Sequence, residues 1–326
     1  MPSSVLIVGS YVQDHAWRVD NFPTPGETRR ALGFSSGPGG KGFNQAIACA
    51  RQGVSTAFIG AIGNDALGEC AKKFAANEGL QATWCIRNDM PTAASSIVVN
   101  SQGENMIAVS LAANEFLDVG FLQTQCAQFE NANIVLCQLE NNLDAINLAF
   151  DLAKKNSALC VLNPAPVHPE LSRELLDSAD VLTPNETEFA LLCQRFANIA
   201  FTADQVAQAD DAVLHRFCRA LSANTIVITL GRFGCLVSHG KNMRGDAQSF
   251  YRIASEAVNA IDTTGAGDAF SGALVAALGL FPEHAFSHAI QYAGRVAALS
   301  TETIGTAPAM PSRAQVSARF SKVREL

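Results

Sequence analysis

The sequence predicts an α/β protein in three layers, α/β/α, with a mostly parallel central sheet and a small accessory sheet. Three observations lead there. Short apolar runs alternate with helix-length amphipathic stretches, the order that right-handed βαβ crossovers produce. Two segments, residues 12–36 and 95–110, break that rhythm. Polar residues gather just after the apolar runs, at the strand ends where open parallel sheets hold ligands.

Along the chain, an apolar run at 5–9 opens the sheet. The Pro- and Gly-punctuated stretch 12–36 supplies one part of the accessory sheet. A helix is expected at 43–52, then a strand at 57–62 and a helix at 65–77. Residues 95–110 alternate apolar and polar positions around Ser101-Gln102-Gly103-Glu104, a hairpin pattern. Strands at 134–139, 159–163 and 181–183 alternate with helices at 143–156 and 186–194. The strand at 226–230 precedes an antiparallel addition at 235–239, and helices at 266–279, 282–300 and 313–323 follow. One domain over 1–326 is expected, with the two irregular segments inserted in it.

With 48% hydrophobic and 16% charged residues in 326, the chain is able to bury a large core. A net charge of −7 leaves no globally basic surface, so no nucleic-acid partner is expected. Met1-Pro2-Ser3-Ser4 enters an apolar strand without a charged leader, which predicts a cytoplasmic protein. The longest apolar stretch, 270–281, is shorter than the roughly 18–20 residues that a membrane span needs. Nine scattered cysteines without C-x-x-C spacing, and six scattered histidines without H-E-x-x-H, predict reduced thiols and no structural metal.

Asp14, Glu140, Asn163, Asn185 and Thr229 each follow a predicted strand, so a single site on one rim is expected. The strongest motif is Asp262-Thr263-Thr264-Gly265-Ala266-Gly267-Asp268. Small residues at 265–267 open a helix and leave backbone N–H groups free to face a phosphate. Asp268 then falls in the first turn, where two roles are open to it: accepting the proton of an attacking hydroxyl, or complementing the helix dipole.

Gly37-Pro38-Gly39-Gly40-Lys41-Gly42-Phe43-Asn44-Gln45-Ala46 also opens a helix. A Walker A loop requires Ser or Thr after the Lys, and Gly42 stands there, so that reading is rejected. Either a flexible turn with a solvated lysine or a cradle for a polyhydroxylated ligand, with Lys41 and Asn44 as partners, remains. Thr183-Pro184-Asn185-Glu186-Thr187-Glu188 fits a capping box, and equally a water-rich Mg²⁺ site. The turn from Thr229 through Gly231 to Gly234 suits a nucleotide lying on small residues, or an ordinary tight turn.

As a set, these motifs resemble the ribokinase-type sugar kinases, the family that also holds fructokinases and adenosine kinases. The resemblance runs from Val8-Gly9-Ser10 and Phe22-Pro23-Thr24-Pro25-Gly26-Glu27-Thr28 through the Gly39–Gly42 block, Asn163-Pro164-Ala165-Pro166 and 183–188 to Asp262–Asp268 and Gly305. It implies a Rossmann-like domain whose accessory sheet is a lid, often a homodimer interface, and phosphoryl transfer from MgATP to a primary hydroxyl. By the same resemblance Asp14, Gly40, Lys41, Asn44 and Glu140 would bind the sugar, Asp268 would be the base, and Gly265, Ala266 and Gly267 would form the anion hole. Asn185, Glu188, Thr229, Gly231 and Gly234 would lie near the nucleotide and Mg²⁺. A monovalent cation, K⁺, would sit near Asp262, Thr264, Thr301, Ile304 and Gly305.

Three positions depart from the family pattern. Val12 replaces an Asn that bonds the sugar, Gly294 replaces a His or Asn near adenine, and Ala309 replaces a Ser near the cation. D-ribose is the expected acceptor. Deoxyribose, a ketohexose or a nucleoside are the alternatives within the family, and a non-catalytic sugar sensor or an NAD-dependent dehydrogenase outside it. Retention of Asp268 opposes the sensor, and absence of a G-x-G-x-x-G fingerprint opposes the dehydrogenase.

Overall fold

This computed structural model describes residues 4–320. Its strands are β1 (Ser4–Val8), β2 (Val12–Arg18), β3 (Gly33–Gly39), β4 (Ser55–Gly63), β5 (Gln81–Arg87), β6 (Ala94–Val99), β7 (Asn105–Ser110), β8 (Ile134–Cys137), β9 (Leu159–Leu162), β10 (Val181–Leu182), β11 (Thr225–Thr229), β12 (Cys235–Ser238) and β13 (Phe250–Ile253). Nine of them form the main sheet, in the order β13-β12-β11-β10-β9-β8-β1-β4-β5. Its pairs run parallel from β11 to β5, and β12 and β13 add antiparallel at one edge. The other four make the lid, in the order β3-β2-β6-β7.

Because helices cover both faces, the central strands are apolar throughout rather than alternating. Leu6 and Val8 of β1 point into a core shared with α3 (Leu143–Lys155), α4 (Glu186–Ala197) and α5 (Asp211–Leu221). Val5 and Ile7 point the other way, into a core with α1 (Lys41–Ala50), α2 (Ala66–Asn77), α6 (Ala266–Leu280) and α7 (Phe286–Ser300). Burying one such side chain contributes about 1.5–3 kcal/mol, and the period-2 geometry of a strand divides that gain between two cores.

One helix contact positions the chemistry. Gly272 of α6 faces α1 so closely that a Cβ there would stand 2.3 Å from the Gln45 carbonyl oxygen. Asp268 lies one turn earlier on the same face, and is thereby carried onto Asn44 and Gln45.

The helix expected at 43–52 begins at Lys41, and the one expected at 282–300 begins at Phe286. In the latter case His284 donates to the Phe281 carbonyl in a separate turn, and Ala285 stays extended. Residues 321–323 of the last expected helix lie outside the described residues. β5, α5 and β13 were not expected from the sequence. β5 mixes polar and apolar residues at a sheet edge, and α5 buries a narrow stripe of Leu214, Cys218 and Leu221. All nine cysteines are free and seven are buried. No helix among the described residues is long and apolar enough to cross a membrane.

Candidate active site

Two glycine-rich stretches open helices on the same rim, and they end differently. At α1, Gly40 has φ 89°, a backbone state that side chains disfavour. The Lys41 N–H donates to Glu140 Oε2 at 2.9 Å, the Gly42 N–H to Ser10 Oγ at 3.2 Å and the Phe43 N–H to Ser10 O at 2.8 Å. Protein groups therefore close this helix end. A Cβ at Gly42 would stand 2.5 Å from both Gly9 Cα and Ser10 N, so the Ser or Thr of a Walker A loop has no room.

At α6 the end is open. Gly265, at φ 78°, caps the helix without a side-chain bond. The Ala266 N–H turns back to the Thr263 carbonyl at 3.2 Å, whereas the N–H groups of Gly267 and Asp268 have no partner among the described residues. A Cβ on Gly267 would meet nothing within 4 Å. Free amides at the positive end of a helix are the features that an anion site requires.

Asp268, 6% exposed, sits in that first turn. Its Oδ2 accepts from Asn44 Nδ2 and its Oδ1 from Gln45 Nε2, each at 2.9 Å. With Lys41, Asn185, Glu188, Thr229, Gly265 and Gly267 it lines a cleft of about 140 Å³. A larger depression of about 450 Å³, at Asp20, Arg29, Arg30 and Leu32, belongs to the loop between β2 and β3 and contains none of these groups.

Three carboxylates act electrostatically on the Lys41 ammonium. Burial alone would lower the Lys41 pKa, but the charges of Asp268, Glu140 and Glu188 outweigh it and raise the value. Burial raises the Glu140 pKa, against the opposing pull of Lys41 and of the Ser10 hydroxyl, which donates to Oε2 at 2.5 Å. Asp14 is raised by burial too, although the Ser95 hydroxyl donates to its Oδ1 at 2.6 Å. Asp14 lies within β2 of the lid rather than in the loop after β1. Gly39 lies so close beneath it that a Cβ would fall 2.0 Å from Asp14 Oδ2.

Asn185 and Glu188 form the capping box. Asn185 Oδ1 accepts the Glu188 N–H at 2.8 Å, and Glu188 Oε2 accepts the Asn185 N–H at 2.8 Å. Glu188 also lines the cleft, and burial raises its pKa. Thr229 bridges to Asn185 beyond the regular pairing of β10 and β11. Gly231 begins a short 3₁₀ turn and Gly234 caps it, both outside the cleft lining. At Gly234, φ is 81° and a Cβ would lie 1.9 Å from the Ile253 carbonyl oxygen.

Asp262 ties two loops together, accepting from the Thr264 N–H at 2.9 Å and the Gly305 N–H at 3.0 Å. Its own N–H donates to the Thr301 carbonyl at 3.1 Å. Thr264, Thr301 and Gly305 are thus brought around Asp262, while the neighbouring Ile304 side chain is exposed. Gln138 and Thr306 also touch the site, and nothing in their local sequence sets them apart from ordinary polar residues at a strand or loop end. Ser10 stands in the Val8-Gly9-Ser10 motif, but its bond to Glu140 depends on the fold.

A sheet covered on both faces, a four-stranded lid and a cleft joining a buried carboxylate to an open helix N-terminus are the framework of a sugar kinase, a phosphotransferase acting on an alcohol group. The family model for pfkB family carbohydrate kinases matches residues 2–313. The chain belongs to that family, and within it to the ribokinase type. It is 36% identical to a ribokinase of Haemophilus influenzae over 96% of this chain and 97% of the relative. Among solved structures, a ribokinase of Giardia lamblia has a TM-score of 0.87 and 27% identity, covering 99% of this chain and all of that one. An Arabidopsis thaliana ribokinase complexed with ribose and ATP has a TM-score of 0.80 and 26% identity, with 98% of each chain covered.

Proposed function

We propose that this protein transfers the γ-phosphoryl group of ATP to the primary hydroxyl of D-ribose, giving ribose 5-phosphate and ADP. The observation that carries the proposal is the pairing of Asp268 with the unpaired Gly267 and Asp268 N–H groups at one helix end. Asp268 accepts the proton of the attacking hydroxyl, and the open amides hold the charge that develops on the transferred group. Asn44 Oδ1 is buried without a hydrogen-bond partner, which suits it to accept from a sugar hydroxyl. Asp14, Gly40, Lys41 and Glu140 complete the sugar-facing wall.

The adenine nucleotide lies toward Asn185, Thr229, Gly231 and Gly234. Glu188 lines the cleft beside Asn185, and the capping box leaves its oxygens capable of further bonds, so Asn185 and Glu188 fit Mg²⁺ held through water. Bound there, Mg²⁺ would neutralise phosphate charge. Asp262 and the carbonyls around Thr264, Thr301 and Gly305 suit K⁺, which would hold the loop that carries Gly265.

A coupled ADP-release assay across ribose, 2-deoxyribose, fructose and adenosine tests the reading. Highest kcat/KM for ribose is expected. Val12, buried at the start of β2, gives the second reading: an apolar side chain cannot reward a hydroxyl, so preference for deoxyribose would reassign the sugar. Asp268→Ala should lower kcat by about 100- to 10,000-fold with sugar binding largely kept. Near-normal turnover in that variant would overturn the base assignment.

A further inference from the structure

Two buried glutamines that the proposed mechanism leaves without a role, Gln45 and Gln138, form a relay ending on Asp268. Gln45 follows Asn44 on α1, and Gln138 follows β8; both are fully enclosed. Gln138 Nε2 donates to Gln45 Oε1 at 2.6 Å. With its oxygen engaged, Gln45 turns its Nε2 the other way, donating to Asp268 Oδ1 at 2.9 Å and Asn163 Oδ1 at 3.0 Å. Asn163 is itself fixed, because its Nδ2 donates to the Thr183 carbonyl at 2.8 Å.

The direction of this relay is over-determined. Were the Gln45 amide reversed, its oxygen would face two acceptor oxygens and its NH₂ would face that of Gln138. Buried polar groups would then be left unpaired on both sides, at high cost in a water-free setting. The far end is held by shape rather than by bonding: Gln138 Oε1 has no hydrogen-bond partner among the described residues, and a Cβ on Gly9 would stand 2.2 Å from it.

We propose that Gln45, oriented by Gln138, is the positioning residue that fixes the rotation of the Asp268 carboxylate for proton acceptance. Asn44 grips the other carboxylate oxygen, but its own Oδ1 has no hydrogen-bond partner among the described residues. Gln45 links the base to the rigid sheet directly: through Gln138 to the end of β8, and through Asn163 to the end of β9. A displacement near 1 Å at a reacting group costs on the order of 100-fold in rate. The inference rests on Asp268 being the base.

Gln45→Met and Gln138→Met, which keep length and remove the donors, test it with kcat measured against sugar Kd by calorimetry. Gln45→Met should lower kcat about 10- to 100-fold while Kd stays within about threefold. Gln138→Met should lower kcat about fivefold, and the double variant should be no slower than Gln45→Met, because residues acting as one unit are not additive. Unchanged kcat in Gln45→Met, multiplying losses in the double variant, or Kd rising in step with the fall in kcat would each refute the relay. Should Gln45→Met lack a cooperative melt, Gln138→Met decides alone, and wild-type kcat in it counts against the proposal. Asp268→Ala separates the two ideas. If it turns over normally, the base reading itself fails; if it is inactive while Gln45→Met is fully active, only the positioning role fails.

Discussion

The Thr306 hydroxyl lies 3.4 Å from Asp14 Oδ2 and donates to the Pro38 carbonyl at 3.2 Å. A residue of the C-terminal segment thereby holds both β2 and β3 of the lid. Its Cγ2 also stands 3.5 Å from where a Cβ on Gly265 would be, against the cap of α6. Lid position and the open helix end share one residue. Thr306→Val keeps the shape and removes both bonds, together about 1 kcal/mol, so sugar KM should rise about 3- to 10-fold with kcat little changed. Steady-state kinetics would contradict this link if kcat fell and KM did not move.

Burial holds the Asp14 and Glu140 pKa values above the ordinary 3.8 and 4.5. In both groups the folded value exceeds the unfolded one. The stability they contribute is therefore fully present below about pH 4 and is lost as pH rises through the elevated folded values. Glu140→Gln, which still accepts from Ser10 and Lys41, removes that loss. Its stability relative to the parent should increase from pH 4.5 to pH 7 in urea unfolding, and a difference independent of pH would show that the buried carboxyl is not disfavoured.

Two glycine substitutions should separate fold from chemistry. Gly42→Ala forces α1 away from Gly9 and Ser10, and overpacking of that kind costs about 1–3 kcal/mol, so Tm should fall by several degrees. Gly267→Ala has open space around it and replaces glycine in a helix, which stabilises by about 0.5–1 kcal/mol. It should keep or raise Tm and lower kcat by crowding the anion site. A reversed pattern in a thermal melt and activity assay would disprove the division.

Titrating KCl against an equal ionic strength of a large organic cation should raise kcat several-fold. Asp262→Asn should weaken that response, since the carboxylate holds the Thr264 and Gly305 loops together. Equal rates in both salts would remove K⁺ from the mechanism.

The lid exposes Leu32, Phe34, Met106, Ile107 and Val109, at 51–76% exposure. Exposed apolar side chains stand on both faces of this sheet, Phe34 and Met106 on one and Ile107 and Val109 on the other, as suits an association surface, and a second copy clasping the lid is the occupant we propose. Sedimentation should give a dimer, and Ile107→Asp should yield a monomer that remains folded. A monomeric parent protein at micromolar concentration would dismiss the clasp.

The layers, the parallel sheet, the antiparallel edge at 235–239 and the hairpin at 95–110 were legible because each rests on a local pattern. Apolar runs flanked by turn residues repeat along the chain, and period-2 alternation marks the hairpin. β5 and α5 were not, since their buried faces are narrow and tertiary packing, rather than intrinsic pattern, holds them in place.

At the site, the order of residues shows which types open each helix. It excluded a Walker A loop through Gly42 and singled out Asp268, whose role stayed divided between base and dipole partner. Packing is what closes the helix end at Lys41 with Glu140 and Ser10 and leaves that at Gly267 open. It also decided that Asp268 is gripped by Asn44 and Gln45, more than two hundred positions away in the chain. The reason is physical: free amides, buried donors and the orientation of a carboxylate are properties of which segments touch. Two glycine-rich helix starts that read alike in sequence differ entirely in what the fold lays against them.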